Sequence, residues 1–505
     1  MRIVLAVLAF TVSVEAGTVK GVVLEHLSSR PIARTLVCLD PVPQPGGTRG
    51  QALQTRAGHA GQFVFADVAP GIYLLQAVRD GFFPAAYGQR LPAGWATPIK
   101  VTDTSLLSTD LRLRHKGALT GYVYDENGVG MAGITVAAYR ARLPLRLAGR
   151  GESDDRGVFR ISGLDTGEYW VRSGAQAFDD GSQWLPTYAP RGAELSEALT
   201  YAVRMDADTQ DVDIEPQAGR LFSVGGLLAC DTLGPAVVTL LSEIGRRTAE
   251  AGCGGAFRFE SVAASHYEIF AMLRDGSAAG FIEFSVDRNT AAAGVPVQRL
   301  PMVTIEVRRA GSDDNADIPV TLIGRRLDLS AMEPEREIAG PRATLAPGHW
   351  EFRALVPAGQ YVESIIQLYG EAPRRSKDED VSDWYSVFVP ARSPFRLRIA
   401  VSDQAGQISG QVVSKSRPSP GTPVFLWPVA LASRRSLSRP VLQLLSDTEG
   451  RFRFDGLPPG DYRLLATFDV KEVDGELIEL SKAPLVKVEA SQSAKIELPI
   501  WVAPW

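Results

Sequence analysis

Cysteine, histidine, asparagine and lysine are all scarce here, at 3, 5, 3 and 9 of 505 residues. So few thiols exclude a disulfide-dense scaffold and a thiolate metal cluster. His26, His59, His115, His266 and His349 offer no His-x-x-Glu pair with a distant third ligand, the set that a zinc carboxypeptidase requires. The few lysines and asparagines exclude five Lys–Asn crosslinks between strands, and Asn127 and Asn315 both sit in turn sequences. The sequence holds no Gly-x-Ser-x-Gly elbow and no glycine loop of the phosphate-cradling kind. Positive charge is not in excess: the formal net charge is −5, which gives no basic face to offset nucleic-acid phosphates. Beyond the amino terminus, no stretch reaches the roughly 18 uncharged apolar residues that a membrane span needs. No catalytic residue, cofactor or metal ligand is therefore expected, and no nucleic-acid partner.

What is present is ordinary globular material, 45% hydrophobic and 22% charged, in a chain too long for a single hydrophobic core. Residues 1–16 have the layout of a signal peptide. Met1-Arg2 is a short positive start, Ile3 to Val12 an apolar run, and Val14-Glu15-Ala16 a small-x-small ending before Gly17. The mature protein is accordingly expected to be secreted or periplasmic, in the cell envelope, and to be a monomer. Export permits a disulfide. Cys230 and Cys253, each near a strand end of one repeat, are expected to pair, while Cys38 in Thr35 to Leu39 reads as a buried free thiol.

The informative feature is an internal repeat. Gly450, Phe452, Phe454, Leu457, Gly460 and Tyr462 stand at offsets 0, 2, 4, 7, 10 and 12. Gly61, Phe63, Phe65, Val68, Gly71 and Tyr73 match it, as do Gly157, Phe159, Ile161, Leu164, Gly167 and Tyr169. Gly255, Phe257, Phe259, Val262, Ser265 and Tyr267 match with one glycine lost. Gly348, Trp350, Phe352, Gly359 and Tyr361 fit as a fourth copy if one residue is inserted. The anchor glycines are about 93 to 102 residues apart, the size of an immunoglobulin-like sandwich. Three copies open with Gly-x-apolar-x-Gly, at Gly17 to Gly21, Gly117 to Gly121 and Gly406 to Gly410; Gly219 to Ser223 is a degraded version and Met302 to Val307 a replacement. A second short apolar strand follows in each, such as Ile134 to Ala138 and Val424 to Trp427.

These residues suit turns and cores. Phe452 and Phe454 alternate with Arg451 and Arg453, giving a strand with one apolar face. Asp447 and Gly450, like Asp154 and Gly157, suit the ends of a type I turn; Pro70-Gly71 and Pro459-Gly460 suit the centre of a type II turn, with positive φ at the glycine. The tyrosine two residues on is placed to lock the corner through its hydroxyl. The fold class expected is all-β: five tandem Greek-key β-sandwiches over 17–115, 116–216, 217–298, 299–401 and 402–505, the third and fourth degenerate. Short junctions such as His115-Lys116 and Ala400 to Gln404 imply little freedom between copies.

The combination of a Gly-x-apolar-x-Gly opening, Asp-x-x-Gly-x-Phe-x-Phe and Pro-Gly-x-Tyr resembles the carboxypeptidase regulatory-like domain. That resemblance implies a transthyretin-like sandwich of about seven strands and an accessory, non-enzymatic role. It covers nearly the whole mature chain and is strongest in the first, second and fifth copies.

Acidic clusters at Asp313, Asp314, Asn315 and Asp317, and at Asp206, Asp208, Asp211 and Asp213, match no defined calcium loop and read as turns or solvated edges. Aromatic residues in long, proline-containing connections are the better binding candidates: Phe82, Phe83, Tyr87 and Trp95 in the first copy, Trp184 and Tyr188 in the second, Trp384, Tyr385 and Phe388 in the fourth. Phe83, Tyr87, Trp184, Tyr188, Trp384 and Tyr385 form the candidate ligand-binding set. Flat rings flanked by Gln and Arg can stack on a polysaccharide or grip an envelope protein. The other reading of the same residues is that they cap open sandwich edges or join neighbouring copies. The two functions that follow are an array of binding modules and a structural spacer without a ligand.

Overall fold

The computed structural model describes residues 17–504, apart from 93, 143–144, 179–180, 231–233, 243–244, 313, 327–334, 347, 369–383, 390–394 and 438–440. The expected signal peptide and Asp313 lie outside the described residues. The regular structure of those described is almost entirely strand, with short helices at Leu431–Ser436 and Gly475–Leu480 and one 3₁₀ turn at Leu195–Glu197. No described helix is long and apolar enough to cross a membrane.

One plan recurs along the chain. The opening strand Gly17–Glu25 lies between the turn strand Gln62–Val68, antiparallel, and the closing strand Leu106–His115, parallel. A second sheet faces it, with Leu36–Pro41 between Leu53–Arg56 and the corner strand Gly71–Val78. The same relations hold for the opening strands Gly117–Tyr122, Phe222–Cys230, Met302–Arg309 and Gly406–Ser414. Pairing the first strand with the last ties both ends of a stretch into one sheet, and a core closes between the two layers. Val19, Val23, Phe63, Phe65, Leu75 and Leu111 form part of such a core, all under 7% exposed.

The second glycine of the opening motif has a steric cause. A Cβ on Gly21 would collide with the carbonyl oxygen of Thr109 and stand 2.8 Å from the Phe63 ring; on Gly410 it would collide with the carbonyl of Ile496 and stand 2.8 Å from Phe452. The motif thus marks where the closing strand passes and where the aromatic ring comes close to the backbone.

The turn expected before the aromatic strand is present. Gly157 N–H donates to Asp154 O at 2.9 Å, and the Asp154 carboxylate accepts from Arg156 and Val158 N–H; Asp447 repeats both features ahead of Gly450. The type II expectation at Pro-Gly is corrected. Gly71 has no positive φ, and Gly460, at 157°, is close to extended. The left-handed residue lies earlier, at a β-bulge: Asp67, Gly163, Ser261 and Gly456 have φ of 55°, 77°, 53° and 71°, each beside a register shift. One extra residue there brings the chain round the corner.

The corner lock is seen in four tyrosines. The hydroxyls of Tyr73, Tyr169, Tyr267 and Tyr462 donate to the carbonyl four residues back, at 2.9, 2.7, 3.1 and 2.6 Å. The fourth copy corrects the sequence alignment. Gly348–Leu355 is a corner strand paired with Thr321–Arg326, whereas the turn strand is Arg342–Thr344. Trp350 holds the tyrosine's place, its indole N–H donating to Ala346 O at 2.8 Å, again four residues back. The register shift is absent, because Met302, Val303 and Thr304 pair with Thr344, Ala343 and Arg342 in unbroken sequence.

In the third stretch Ala278–Val286 joins Ser265–Leu273 to the closing strand Thr290–Arg299, so both layers become one seven-stranded sheet. Cys230 and Cys253 are disulfide-bonded there, with Cα atoms 5.5 Å apart, and Cys38 is a buried free thiol.

Each stretch also touches the next. At His115 the imidazole Nε2 lies 2.7 Å from Glu25, and the backbone N–H and Arg114 both bond Asp206. Arg326, 1% exposed, stacks its guanidinium over Phe270 and Phe281 of the third stretch, 4.9 and 5.3 Å from the ring centres. The Tyr385 hydroxyl is 3.3 Å from Ser436. The last stretch returns to the first: Arg90 forms a two-pronged bond to the Asp469 carboxylate, at 3.0 and 2.8 Å, and donates to Ala503 O. Trp95 N–H donates to Phe468 O and Thr448 N–H to Pro43 O, while Val42, Leu74 and Ala96 pack with Leu445.

Candidate functional site

The candidate aromatics belong to packing more than to an open face. Tyr188 and Trp384 are each 3% exposed and Phe83 is 8% exposed. Tyr87 packs against the first core and Trp184 against the second, where it also bridges to Ala218. Phe83 lies under the Lys116 ammonium, and its neighbour Phe82 rests 4.1 Å from the His115 ring, at the passage between the first two stretches. Trp384 is held between two guanidinium groups, Arg353 at 4.1 Å and Arg325 at 4.4 Å, and Arg325 in turn bonds the buried Glu351. The Tyr385 hydroxyl donates to the carbonyls of Val362 and Glu363, and burial pushes its phenol above the ordinary range.

Three carboxylates of the second acidic cluster are likewise engaged. Asp206 pairs with Arg114, Asp208 takes a two-pronged bond from Arg160, and Asp213 accepts the N–H of Tyr122. Among the described residues, no group of three His, Cys, Asp or Glu side chains is placed to hold a metal.

One concave place does draw on a candidate residue. Between the second and third stretches lies a cavity of about 660 Å³, walled by Tyr139, Tyr188 and Tyr267 with Arg172 among them. Arg172 stands on the outer face of the corner strand Gly167–Ser173, whose inner residues Tyr169 and Val171 are core. Its guanidinium carbon is 5.0 Å from the centre of the Tyr188 ring. Nε and Nη1 are shielded from solvent and have no hydrogen-bond partner. Burial pulls the Arg172 guanidinium below its ordinary value; it pushes Tyr139 and Tyr267 up, against the opposing charge of Arg172. Arg150, Arg220, Arg246 and Arg247 also line the cavity, and Glu194 is the one carboxylate among its described lining residues. Sequence reasoning found Tyr188 and missed Arg172, Tyr139 and Tyr267. The available signal was the outward pair Trp170 and Arg172 on a strand whose other face was already core.

Taken together, the chain is an all-β protein of repeated β-sandwiches. No family model matches it and no curated protein matches it. Among solved structures it is similar to a minor pilin of Streptococcus agalactiae, with 15% identity over 41% of this chain and 97% of that one, TM-score 0.23. It is similar also to the major pilin subunit of Bacillus cereus (12% identity, 76% and 99% covered, TM-score 0.15) and to the Bacillus anthracis TIE protein (10%, 73% and 68%, TM-score 0.17). At these identities and TM-scores the likeness bears on neither activity nor partner.

Proposed function

We propose that this protein is an exported, non-enzymatic structural scaffold of the cell envelope, built from five sandwiches of the carboxypeptidase regulatory-like kind. The units are taken at the boundaries of the repeat, 17–115, 116–216, 217–298, 299–401 and 402–505. The observation that carries the reading is the use of large side chains and arginines between stretches, ending in the return contact of Arg90 on Asp469. Side chains spent on joints favour fixed geometry over a free binding face. The scaffold is a closed one, not an extended rod.

Small-angle scattering of the mature chain tests this. The wild type is expected to be compact, and Arg90→Ala with Asp469→Ala should raise the radius of gyration by about a tenth or more; an unchanged radius removes the closure and the reading with it. Acid should act the same way. Burial alone would raise the Asp469 carboxyl, but bonds from Arg90 and Ala503 N–H and the Arg90 charge outweigh it and hold it below the usual range. Its contribution is therefore present above the unfolded value of about 3.9 and is lost as pH falls through the lower folded value. The opening should appear in that acidic window and not near neutrality.

The alternative, an array of modules that binds a polysaccharide or an envelope protein, is favoured by one observation: Tyr188 forms part of the wall of a cavity.

A further inference from the structure

We propose that the outer face of one sheet in the fourth stretch is a binding surface for an acidic polysaccharide, a chain of sugars bearing carboxylates. The proposal goes beyond the scaffold reading, needs none of its closure, and is tested by a different measurement.

The sheet runs in the order Arg342–Thr344, Met302–Arg309, Phe395–Ser402, Tyr361–Leu368. Its inner residues Val303, Leu397, Ile399 and Ile365 are core. Alternation turns the residues between them outward. Register lines these up: Arg342, Thr304 and Arg396 make one row, and Glu306, Arg398 and Ile366 the next. The Cα atoms of Arg342 and Arg396 thus stand about 10 Å apart across the Thr304 strand, and Arg398 about 7 Å along from Arg396.

Charge on this face is unbalanced. Glu306, its side chain 10% exposed, is shared by three arginines. Arg396 Nη1 and Arg308 Nη2 donate to it at 3.0 and 3.2 Å, and Arg398 Nε lies 3.9 Å away. Arg308 is engaged there and supplies nothing further. The other two keep open edges. In Arg396, whose side chain is 55% exposed, Nη1 is engaged and the side-on fork of Nε with Nη2 remains. In Arg398 Nε is closed off, and the end-on pair of Nη1 with Nη2 remains. Either edge meets a carboxylate with two parallel bonds. Arg342 is exposed and pairs with no carboxylate among the described residues. The acids at the margin, Asp317 and Glu363, lie toward the Arg308 end, away from Arg342 and Arg396. The local excess of positive charge stands in a chain whose net charge is −5.

The form of the face selects the occupant. Open forks spread along a flat sheet suit an extended chain with repeated anions, not an enclosed small molecule. The two rows hold no aromatic ring on which the bases of a nucleic acid would stack. Thr304, between two arginines, offers a hydroxyl to a sugar.

Titration calorimetry on the full mature chain at low salt tests the proposal, with oligogalacturonate, dextran and a single-stranded oligodeoxynucleotide as probes. Saturable binding of oligogalacturonate is expected, weakening as salt rises. Arg396→Gln with Arg398→Gln should weaken it by about tenfold or more, because charge-assisted bonds are lost. Arg342→Gln, at an exposed position, should weaken it by a smaller factor and guards against misfolding of the double variant. Glu306→Gln should tighten binding roughly threefold, because the guanidinium groups lose the carboxylate they share; damage to the fold would not do that. The proposal is overturned if oligogalacturonate does not saturate, or if dextran or the oligodeoxynucleotide binds as tightly. It is overturned equally if either arginine variant, folded by circular dichroism, binds like wild type, or if Glu306→Gln fails to tighten binding.

Discussion

The first, second and fifth stretches carry the repeat clearly, the third and fourth only faintly, yet all share the same strand plan. The strongly patterned stretches turn their corners with a bulged left-handed residue and a tyrosine hydroxyl, as at Gly456 and Tyr462. The fourth has no register shift and uses Trp350, whose N–H reaches the same carbonyl position four residues back. The third keeps the bulge at Ser261 and the Tyr267 lock, and adds a disulfide and a continuous sheet. The feature shared across the five is an aromatic side-chain donor closing on the carbonyl four residues back. The letters that supply it differ.

That comparison can be broken most forcefully at Trp350. The ring stacks on Phe352 at 5.9 Å, takes Arg336 on its face, and is 1% exposed. Trp350→Ala should cost about 3–5 kcal/mol, read by hydrogen exchange as lost protection in Gly348–Leu355. A loss below about 1 kcal/mol would show that tryptophan does not replace the tyrosine. Next comes the third stretch. Cys253→Ser opens a crosslink spanning 23 residues, with an expected loss of about 3 kcal/mol; denaturant unfolding with and without reductant measures it, and the reductant should have no further effect on the variant. The smallest change is Tyr462→Phe, which removes one hydroxyl and leaves the Pro458 carbonyl unpaired, for about 1–2 kcal/mol. Protection in Gly460–Ala466 should fall by that amount, and equal protection in variant and wild type would mean that the ring alone makes the corner.

Much of the fold was legible because it is written in local spacing. The glycine-aromatic-apolar alternation, the Asp-x-x-Gly turn and the corner tyrosines each act within about a dozen residues. The misplacement of the fourth copy came from reading Trp350 as a turn-strand aromatic; shortening the segment at the missing bulge moves every later landmark. The left-handed residues escaped because Asp67, Gly163, Ser261 and Gly456 share a conformation and not a side chain. The site was less legible. Whether Tyr188 or Trp384 faces water depends on what packs over the outer face of its sheet, and that neighbour comes from distant sequence. Arg172 looked like any solvent-side arginine on an alternating strand until the third stretch covered it.

The return of the last stretch onto the first has a consequence for how the molecule withstands damage. Contact between Arg90 and Asp469 spans 379 positions of the chain, so the backbone is not the sole link between early and late parts. A protease that severs one connector leaves two fragments still held along a second seam, each at high local concentration relative to the other. One such cut would produce a nicked particle instead of two pieces drifting apart.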